Sequence, residues 1–161
     1  MLSLGLTVDL PSPKRPVLRA ALLSDGLPAG EVPRLDDISL LDEFDVATYD
    51  DDWAVFCKDF AETVSGRIRS IQPDVVIVRR ADMAKKASNL DGPRIRLVAS
   101  GAVTAAAKIL VPKTYLLTGK ACADAYGKPK EQLDRDAARF PSKTARVSAA
   151  AAALTGLLAA R

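Results

Sequence analysis

The chain of 161 residues contains no histidine and only two cysteines, which excludes several common kinds of active site. Without histidine, neither Ser-His-Asp nor Cys-His catalysis can be assembled, and the usual zinc ligand sets are missing. Cys57 and Cys122 lie far apart in the sequence, so we expect reduced cysteines within helices and a cytoplasmic location. An enzyme built from this chain must use carboxylates, lysines or a metal ion held by oxygen.

Long hydrophobic runs are also missing. No stretch of 18 uncharged apolar residues occurs, so the sequence predicts no transmembrane helix. The N-terminus lacks the basic start, apolar run and cleavage site of a signal peptide. With 48% apolar and 27% charged residues, the composition is that of a globular protein. We expect one domain, residues 1–161, with a substantial core.

Acidic residues are absent after Asp136, and charge is unevenly distributed along the chain. Residues 1–62 hold 13 acids and 5 bases, whereas residues 63–161 hold 7 acids and 18 bases. A basic C-terminal part is the pattern expected of a protein with a polyanionic partner. Solvated helix faces produce the same pattern, so that alternative stays open. The acidic segment 36–52 is a candidate surface for a protein partner.

Five segments rich in apolar or β-branched residues predict strands: residues 2–8, 17–23, 38–41, 75–78 and 113–118. The first alternates apolar with small or polar residues, as a half-buried strand does. Residues 75–78 (Val-Val-Ile-Val) form a continuous apolar run, which is typical of a central strand buried on both faces. The remainder of segment 36–52 is predicted to be an ordered loop.

Helices are predicted at residues 53–71, 94–110, 121–127, 130–140 and 143–160. Trp53, Phe56 and Phe60 begin an apolar stripe with helical spacing, so all three are expected to face a sheet. Asp134 and Asp136 fall on an amphipathic helix and are expected to be solvated. Strands first, followed by alternating strands and helices, predict an α/β protein whose five-stranded mixed sheet is flanked by helices.

Several motifs together resemble the RuvC family of Holliday-junction resolvases. The first is residues 72–74 (Gln-Pro-Asp), an apolar strand and then residues 83–86 (Met-Ala-Lys-Lys) before a long helix. Residues 127–130 (Gly-Lys-Pro-Lys) resemble the family's glycine-containing loop before its penultimate helix. Residues 143–154 resemble the start of its last helix. The resemblance, clearest over residues 60–154, implies an RNase H-like fold.

The residues that the family uses for catalysis are largely replaced in this chain. Family members hold two divalent cations with four carboxylates, since Mg²⁺ prefers oxygen ligands. Asp9 matches the first-strand acid, but Arg79 stands where the central-strand glutamate is expected. The window 145–149 contains Arg146 and no carboxylate where two further acids are expected. The resemblance therefore predicts a catalytically inactive protein without a cofactor, with Mg²⁺ only if a nuclease site has been rebuilt.

The same resemblance predicts a nucleic-acid-binding face that combines many of the basic residues. The candidates are Arg79, Arg80, Lys85, Lys86, Arg94, Arg96, Lys120, Lys128, Lys130, Lys143 and Arg146. Arg79 could hold a phosphate through two hydrogen bonds, or it could pair with Asp9 as a structural replacement for metal. The expected partner is DNA, branched or duplex, with a homodimer formed through residues 94–110.

Two other functions remain open at this point. One is an active metal-dependent endodeoxyribonuclease whose site has been rebuilt from other acids, such as Asp82. The other is a structural or adaptor protein that keeps the fold for protein contacts. Phage genomes are a plausible source of such proteins by resemblance to the family.

Overall fold

The computed structural model describes residues 1–12, 15–28, 31–48, 50–81 and 91–159. Its strands are β1 (Leu2–Ser12), β2 (Arg15–Ser24), β3 (Ser39–Ala47), β4 (Val75–Arg80) and β5 (Thr114–Thr118). Its helices are α1 (Trp53–Ile71), α2 (Asp91–Leu110), α3 (Gly119–Tyr126), α4 (Lys130–Ala137) and α5 (Val147–Ala159). Among the described helices, none combines the length and apolarity that crossing a bilayer requires.

The strands form one mixed sheet in the order β3-β2-β1-β4-β5, which confirms the predicted fold class. Strands β1, β2 and β3 are antiparallel neighbours, whereas β4 runs parallel to both β1 and β5. The run 75–78 in β4 is at most 2% exposed, so the predicted buried central strand is confirmed. This topology brings the carboxyl ends of β1 and β4 together at one edge of the sheet.

Each face of the sheet has its own apolar core. On one face, helices α1 and α2 cover β1 and β4, with Phe60, Val64 and Val103 at most 1% exposed. On the other face, α5 lies across the centre of the sheet, flanked by α3 and α4. Successive side chains of β1 point to opposite faces of the sheet. The polar side chains near the end of β1 therefore also alternate between the two faces.

The alanine-rich helix α5 lies unusually close to the sheet. Its residues from Ala149 to Leu157 are all buried. A Cβ atom added at Gly5 would lie 1.9 Å from the carbonyl oxygen of Ala149, so only glycine fits there. Gly156 is also tightly packed, because its added Cβ would lie 2.3 Å from the side-chain oxygen of Ser3. Small side chains on both elements therefore permit the close approach that positions the start of α5 over the sheet.

Three sequence-based expectations about local structure are wrong. Strand β3 extends over residues 39–47, so most of the acidic segment is a strand rather than a loop. Phe44 and Val46 alternate with acids, so only one side of that strand is buried. So few apolar residues gave only a weak signal of a strand in the sequence. Trp53 is 41% exposed because it is the first residue of α1, where the helix extends past the core. The helices predicted at 130–140 and 143–160 begin or end some residues inside those limits.

Candidate nucleic-acid interface

The candidate site is the edge of the sheet where β1 and β4 end, here called the strand-end site. Thr7 of β1 lies level with Arg79 of β4, and the Thr7 hydroxyl donates a hydrogen bond of 3.0 Å to the Arg79 carbonyl oxygen. Carboxyl ends of parallel strands commonly form binding sites in α/β proteins. Helix α4 and the turn before α5 contribute charged side chains to this edge.

Arg79 is buried at the strand-end site and pairs with helix α4. Its Nη1 donates to Asp134 Oδ1 at 2.7 Å, and its Nη2 lies 3.5 Å from the second carboxylate oxygen. Lys130 Nζ donates to the same carboxylate at 2.7 Å. Burial alone would raise the pKa of Asp134, but the bonds from Arg79 and Lys130 outweigh it and hold that pKa below its ordinary value. The pair therefore joins β4 to α4 through charged groups.

The predicted ion pair between Arg79 and Asp9 is wrong. Arg79 pairs with Asp134, whereas Asp9 lies 3.5 Å from Arg19 of the neighbouring strand β2. Asp134 was expected to be solvated, but the helix carrying it packs against α5, close enough for its carboxylate to reach the end of β4. A carboxylate on α4, rather than the first-strand acid, thus neutralises the arginine.

Arg146 occupies the turn immediately before α5 and bonds two acids of strand β3. Its Nη1 lies 2.9 Å from Glu43 Oε1, and its Nε lies 2.9 Å from Asp45 Oδ1. Asp45 also accepts from Arg19 Nη1 at 2.6 Å, which continues the chain of contacts toward Asp9. These five residues, Asp9, Arg19, Glu43, Asp45 and Arg146, are here called the arginine network.

The arginine network favours the charged forms of its two β3 acids. Burial alone would raise the pKa of Glu43, but hydrogen bonds from Ser142 and Arg146 outweigh it, so the pKa is lowered. For Asp45, burial is likewise outweighed by the hydrogen bond from Arg146 and the charge of Arg19. In turn, these partners raise the pKa of Arg146. Glu43, Asp45 and Arg146 are therefore charged at neutral pH.

Asp9, which the resemblance matched to the family's first-strand acid, behaves differently. Its side chain is 38% exposed, and one carboxylate oxygen lies 3.5 Å from Arg19 Nε. Burial of the carboxyl group raises its pKa, and the nearby charges of Arg19 and Arg96 reduce that effect without cancelling it. Asp9 is thus the least stabilised carboxylate of the network.

A buried carboxylate, Asp136, also lies on α4 and fixes the loop between α3 and α4. It accepts hydrogen bonds of 2.7 Å from the Tyr126 hydroxyl and from Gln132 Nε2, with Lys128 Nζ at 3.5 Å. Burial and the adjacent carboxylate raise the pKa of Tyr126. The expectation that Asp136 is solvated is wrong, because the α3–α4 turn folds Tyr126 over it.

Three lysines predicted to bind nucleic acid line an open groove of about 560 Å³ beside the strand-end site. The groove lies between α3 and the start of α4, and its lysines are Lys120, Lys128 and Lys130. We call it the lysine groove. Lys120 and Lys128 are exposed, whereas Lys130 is half-buried. Because Lys130 and Arg79 share one carboxylate, Asp134, the groove adjoins the end of β4.

The other predicted binding residues have different surroundings. Arg94 and Lys143 are exposed, and Arg80 and Arg96 are half-buried. Lys85 and Lys86 lie outside the described residues, as does Asp82. Arg79 and Arg146 are 6% and 8% exposed and bonded to carboxylates, so their guanidinium groups already have partners inside the protein.

Known proteins resemble this chain in structure rather than in sequence. No protein-family model matches it, and no curated protein sequence matches it. The structure of Thermus thermophilus RuvC covers the whole chain and 96% of its own length, with a TM-score of 0.70 and 20% identity. The fold is that of RuvC. The structure of the same protein in complex with a Holliday junction substrate has a TM-score of 0.67 and 18% identity. The match covers 100% of this chain and 95% of the RuvC chain.

The yeast mitochondrial Holliday junction resolvase is a more distant structural match. It gives a TM-score of 0.58 at 12% identity and covers 98% of this chain and 77% of its own. The RuvC likeness expected from the motifs is therefore confirmed at the level of the fold, for two resolvases from different organisms.

The comparisons contradict the expectation of a protein without a cofactor, because the RuvC structures that this chain resembles are metal-dependent resolvases. The residues described at the strand-end site do not fit a pair of divalent ions. Glu43, Asp45 and Asp134 are each bonded to an arginine, and no described group of three or more metal-ligating side chains could hold an ion. A guanidinium repels a cation at these positions.

Sequence reasoning missed four residues of the site: Arg19, Glu43, Asp45 and Asp134. Two of them had a detectable signal, because Glu43 and Asp45 alternate with buried Phe44 and Val46 and must share a face if this segment is a strand. Arg19 lies opposite Asp45 in the β2–β3 register, which only the strand pairing reveals. Nothing in the sequence marked Asp134 as the partner of Arg79.

Proposed function

We propose that this protein binds branched or duplex nucleic acid through a basic face and does not cleave it. The observation that carries the proposal is the position of the lysine groove. Three lysines line an open surface that adjoins the end of β4, where the resemblance to RuvC expects a metal-binding glutamate. Lysine ammonium groups bind phosphates without reading base sequence, so such a surface suits a nucleic-acid backbone.

Further support comes from the charge of the chain and from its structural neighbour. Residues 63–161 carry 18 bases and 7 acids. Arg94 and Lys143 are exposed as well, and the proposal includes them in the basic face. A RuvC of the same fold has been solved in complex with a Holliday junction substrate. On this proposal, Lys85 and Lys86 add to the face, and the protein acts in the cytoplasm.

The absence of cleavage is proposed from the residues at the strand-end site. Arg79 and Arg146 stand at positions where the resemblance expects carboxylates, and both are bonded to acids. The four-way junction should therefore remain intact after incubation with the protein and Mg²⁺ or Mn²⁺. Junction cleavage that is lost in the Asp9→Asn variant would contradict this part of the proposal and favour an active endonuclease.

Binding is tested by fluorescence anisotropy with a labelled four-way junction and a duplex of the same sequence. We expect both to bind at low salt, with affinity falling steeply as salt rises from about 50 to about 200 mM, because phosphate contacts release counterions. A protein that binds neither substrate at low salt refutes the proposal, and an adaptor role through protein contacts then becomes the better explanation.

We also propose that the protein forms a homodimer through the outer side of α2. Leu97, Val98 and Ile109 are 46%, 40% and 84% exposed there. Gly101 between them is exposed and permits close approach. Light scattering should give twice the monomer mass for the wild type, and Ile109→Asp should shift it toward the monomer.

A further inference from the structure

The carboxylates of the arginine network pose an electrostatic difficulty for a nucleic-acid-binding protein. Asp9 and Asp45 lie toward the ends of β1 and β3, whereas Glu43 lies in the middle of β3. Arg146 connects the two β3 acids to the turn that begins at Lys143, a residue of the proposed basic face. Three uncompensated negative charges near that face would repel the ligand, and this repulsion extends over about 10 Å at 0.1 M salt. Something must neutralise them for binding to be favourable.

Arg146 and Arg19 are placed to provide that neutralisation. Arg146 bonds Glu43 and Asp45 at 2.9 Å each, and Arg19 bonds Asp45 at 2.6 Å and approaches Asp9 at 3.5 Å. The side chains of Arg146 and Arg19 are only 10% and 16% exposed. Both guanidinium groups therefore face the acids beneath the surface rather than solvent.

A phosphate contact from Arg146 would require the protein to give up these bonds. Its Nε and Nη1 are both engaged with carboxylates, and the turn that carries it is held by the bonds of Ser142 to Glu43. Charge-assisted bonds of this kind are about twice as strong as neutral ones. Leaving two carboxylates unpaired would oppose the gain from a new phosphate contact.

We propose that Arg146 and Arg19 are internal counter-charges that prevent Glu43, Asp45 and Asp9 from repelling nucleic acid. They act as positioning residues, since their effect on the ligand passes through the acids that they neutralise. This inference rests on the proposed nucleic-acid binding and adds to it a set of residues that influence affinity without contacting phosphate.

The decisive experiment compares the wild type and two variants by anisotropy with the same labelled duplex. Arg146→Gln should weaken binding about five-fold at low salt, because two carboxylates lose their counter-charge. Adding Glu43→Gln and Asp45→Asn to that variant should restore affinity to within about two-fold of the wild type. A direct phosphate contact by Arg146 instead predicts that the triple variant stays weaker than the wild type, because it still lacks the guanidinium.

Two further variants keep the inference testable if Arg146→Gln fails to fold, as judged by circular dichroism. Arg146→Lys retains the charge and should bind within about two-fold of the wild type. Glu43→Gln with Asp45→Asn, in the presence of Arg146, should bind more tightly than the wild type, because two negative charges near the basic face are gone.

Each outcome of the series has a definite meaning. A folded triple variant that binds as weakly as Arg146→Gln overturns the inference, as does a Glu43→Gln/Asp45→Asn variant with unchanged or weaker binding. These results differ from failure of the proposed function itself, in which the wild-type protein shows no binding to the duplex at low salt.

Discussion

The arginines of the strand-end site and the lysines of the lysine groove carry the same charge in very different surroundings. The side chains of Arg79 and Arg146 are 7% and 10% exposed, and carboxylates lie within 3 Å of both. The Lys128 side chain is 49% exposed and lies 3.5 Å from its nearest acid, and Lys120 is exposed as well. A buried, paired cation holds elements of the fold together, whereas an exposed one remains available to a polyanion.

This difference shows that a count of basic residues overestimates how many of them are available to bind nucleic acid. Both groups were predicted from the sequence to contact nucleic acid, because both belong to the basic part of the chain. Their roles separate only when the acids around them are known. The comparison predicts that Arg79 affects mainly stability, that Arg146 affects binding only through the acids that it neutralises, and that the lysines affect binding directly.

The largest expected effect is on stability, in the variant Arg79→Ala. Removing the guanidinium leaves a cavity and deprives Asp134 of its main partner, although Lys130 remains bonded to that carboxylate. We expect a loss of about 2 kcal/mol in the free energy of unfolding, less than for a fully buried pair because Asp134 is partly exposed. Urea denaturation measures this.

Lys120→Ala is the control for that experiment and should change the free energy of unfolding by less than about 0.5 kcal/mol. Equal destabilisation by the two substitutions would remove the distinction between the two regions.

The next effect concerns binding, in the double variant Lys120→Ala/Lys128→Ala. If each lysine contacts one phosphate, the slope of log affinity against log salt should become shallower by about 2. Affinity should fall alike for unrelated duplex sequences, because phosphate contacts carry no sequence information.

The matched control is Lys58→Ala/Arg69→Ala, which removes two exposed positive charges from α1 on the opposite face of the sheet. It should leave the salt slope nearly unchanged. A control that weakens binding as much as the lysine-groove variant would mean that net charge, rather than the groove, determines affinity.

The distribution of these roles could be predicted from the sequence only in part. The order of strands and helices followed from local patterns, such as the alternation in residues 2–8 and the β-branched run 75–78. The pairing of Arg79 with Asp134 joins residues 55 positions apart, and that of Arg146 with Asp45 joins residues 101 apart. Such pairs depend on how the helices pack against the sheet, and no local sequence pattern predicts that packing.

Smaller effects on stability are expected when the pH is lowered. The pKa values of Glu43, Asp45, Asp134 and Asp136 are lowered in the folded protein. Lowered pKa values contribute stability that is fully present above the ordinary values of 3.8 for Asp and 4.5 for Glu. This stability is lost as pH falls through the folded-state values. The melting temperature should therefore drop steeply below about pH 4.5.

The dependence of the melting temperature on pH also distinguishes the arginine network from the lysine groove. Arg146→Gln removes a partner of Glu43 and Asp45, so its melting temperature should depend less on pH between about 5 and 3 than that of the wild type. Lys120→Ala should follow the wild-type curve. Parallel curves for Arg146→Gln and the wild type would show that the arginine network does not stabilise its acids.

The smallest expected effect is that of Asp9→Asn, and its sign separates Asp9 from the other acids. A raised pKa means that folding disfavours the carboxylate relative to the neutral acid, so the charged form reduces stability at neutral pH. The Asp9 side chain is 38% exposed, and its contact with Arg19 is long, at 3.5 Å. Solvent therefore weakens both the unfavourable effect of burial and the attraction of Arg19. Asp9→Asn should therefore leave the free energy of unfolding unchanged or raise it by no more than about 0.5 kcal/mol at pH 7. Urea denaturation at pH 7 provides the measurement, and a loss above about 1 kcal/mol would place Asp9 among the structural ion pairs, alongside Asp134.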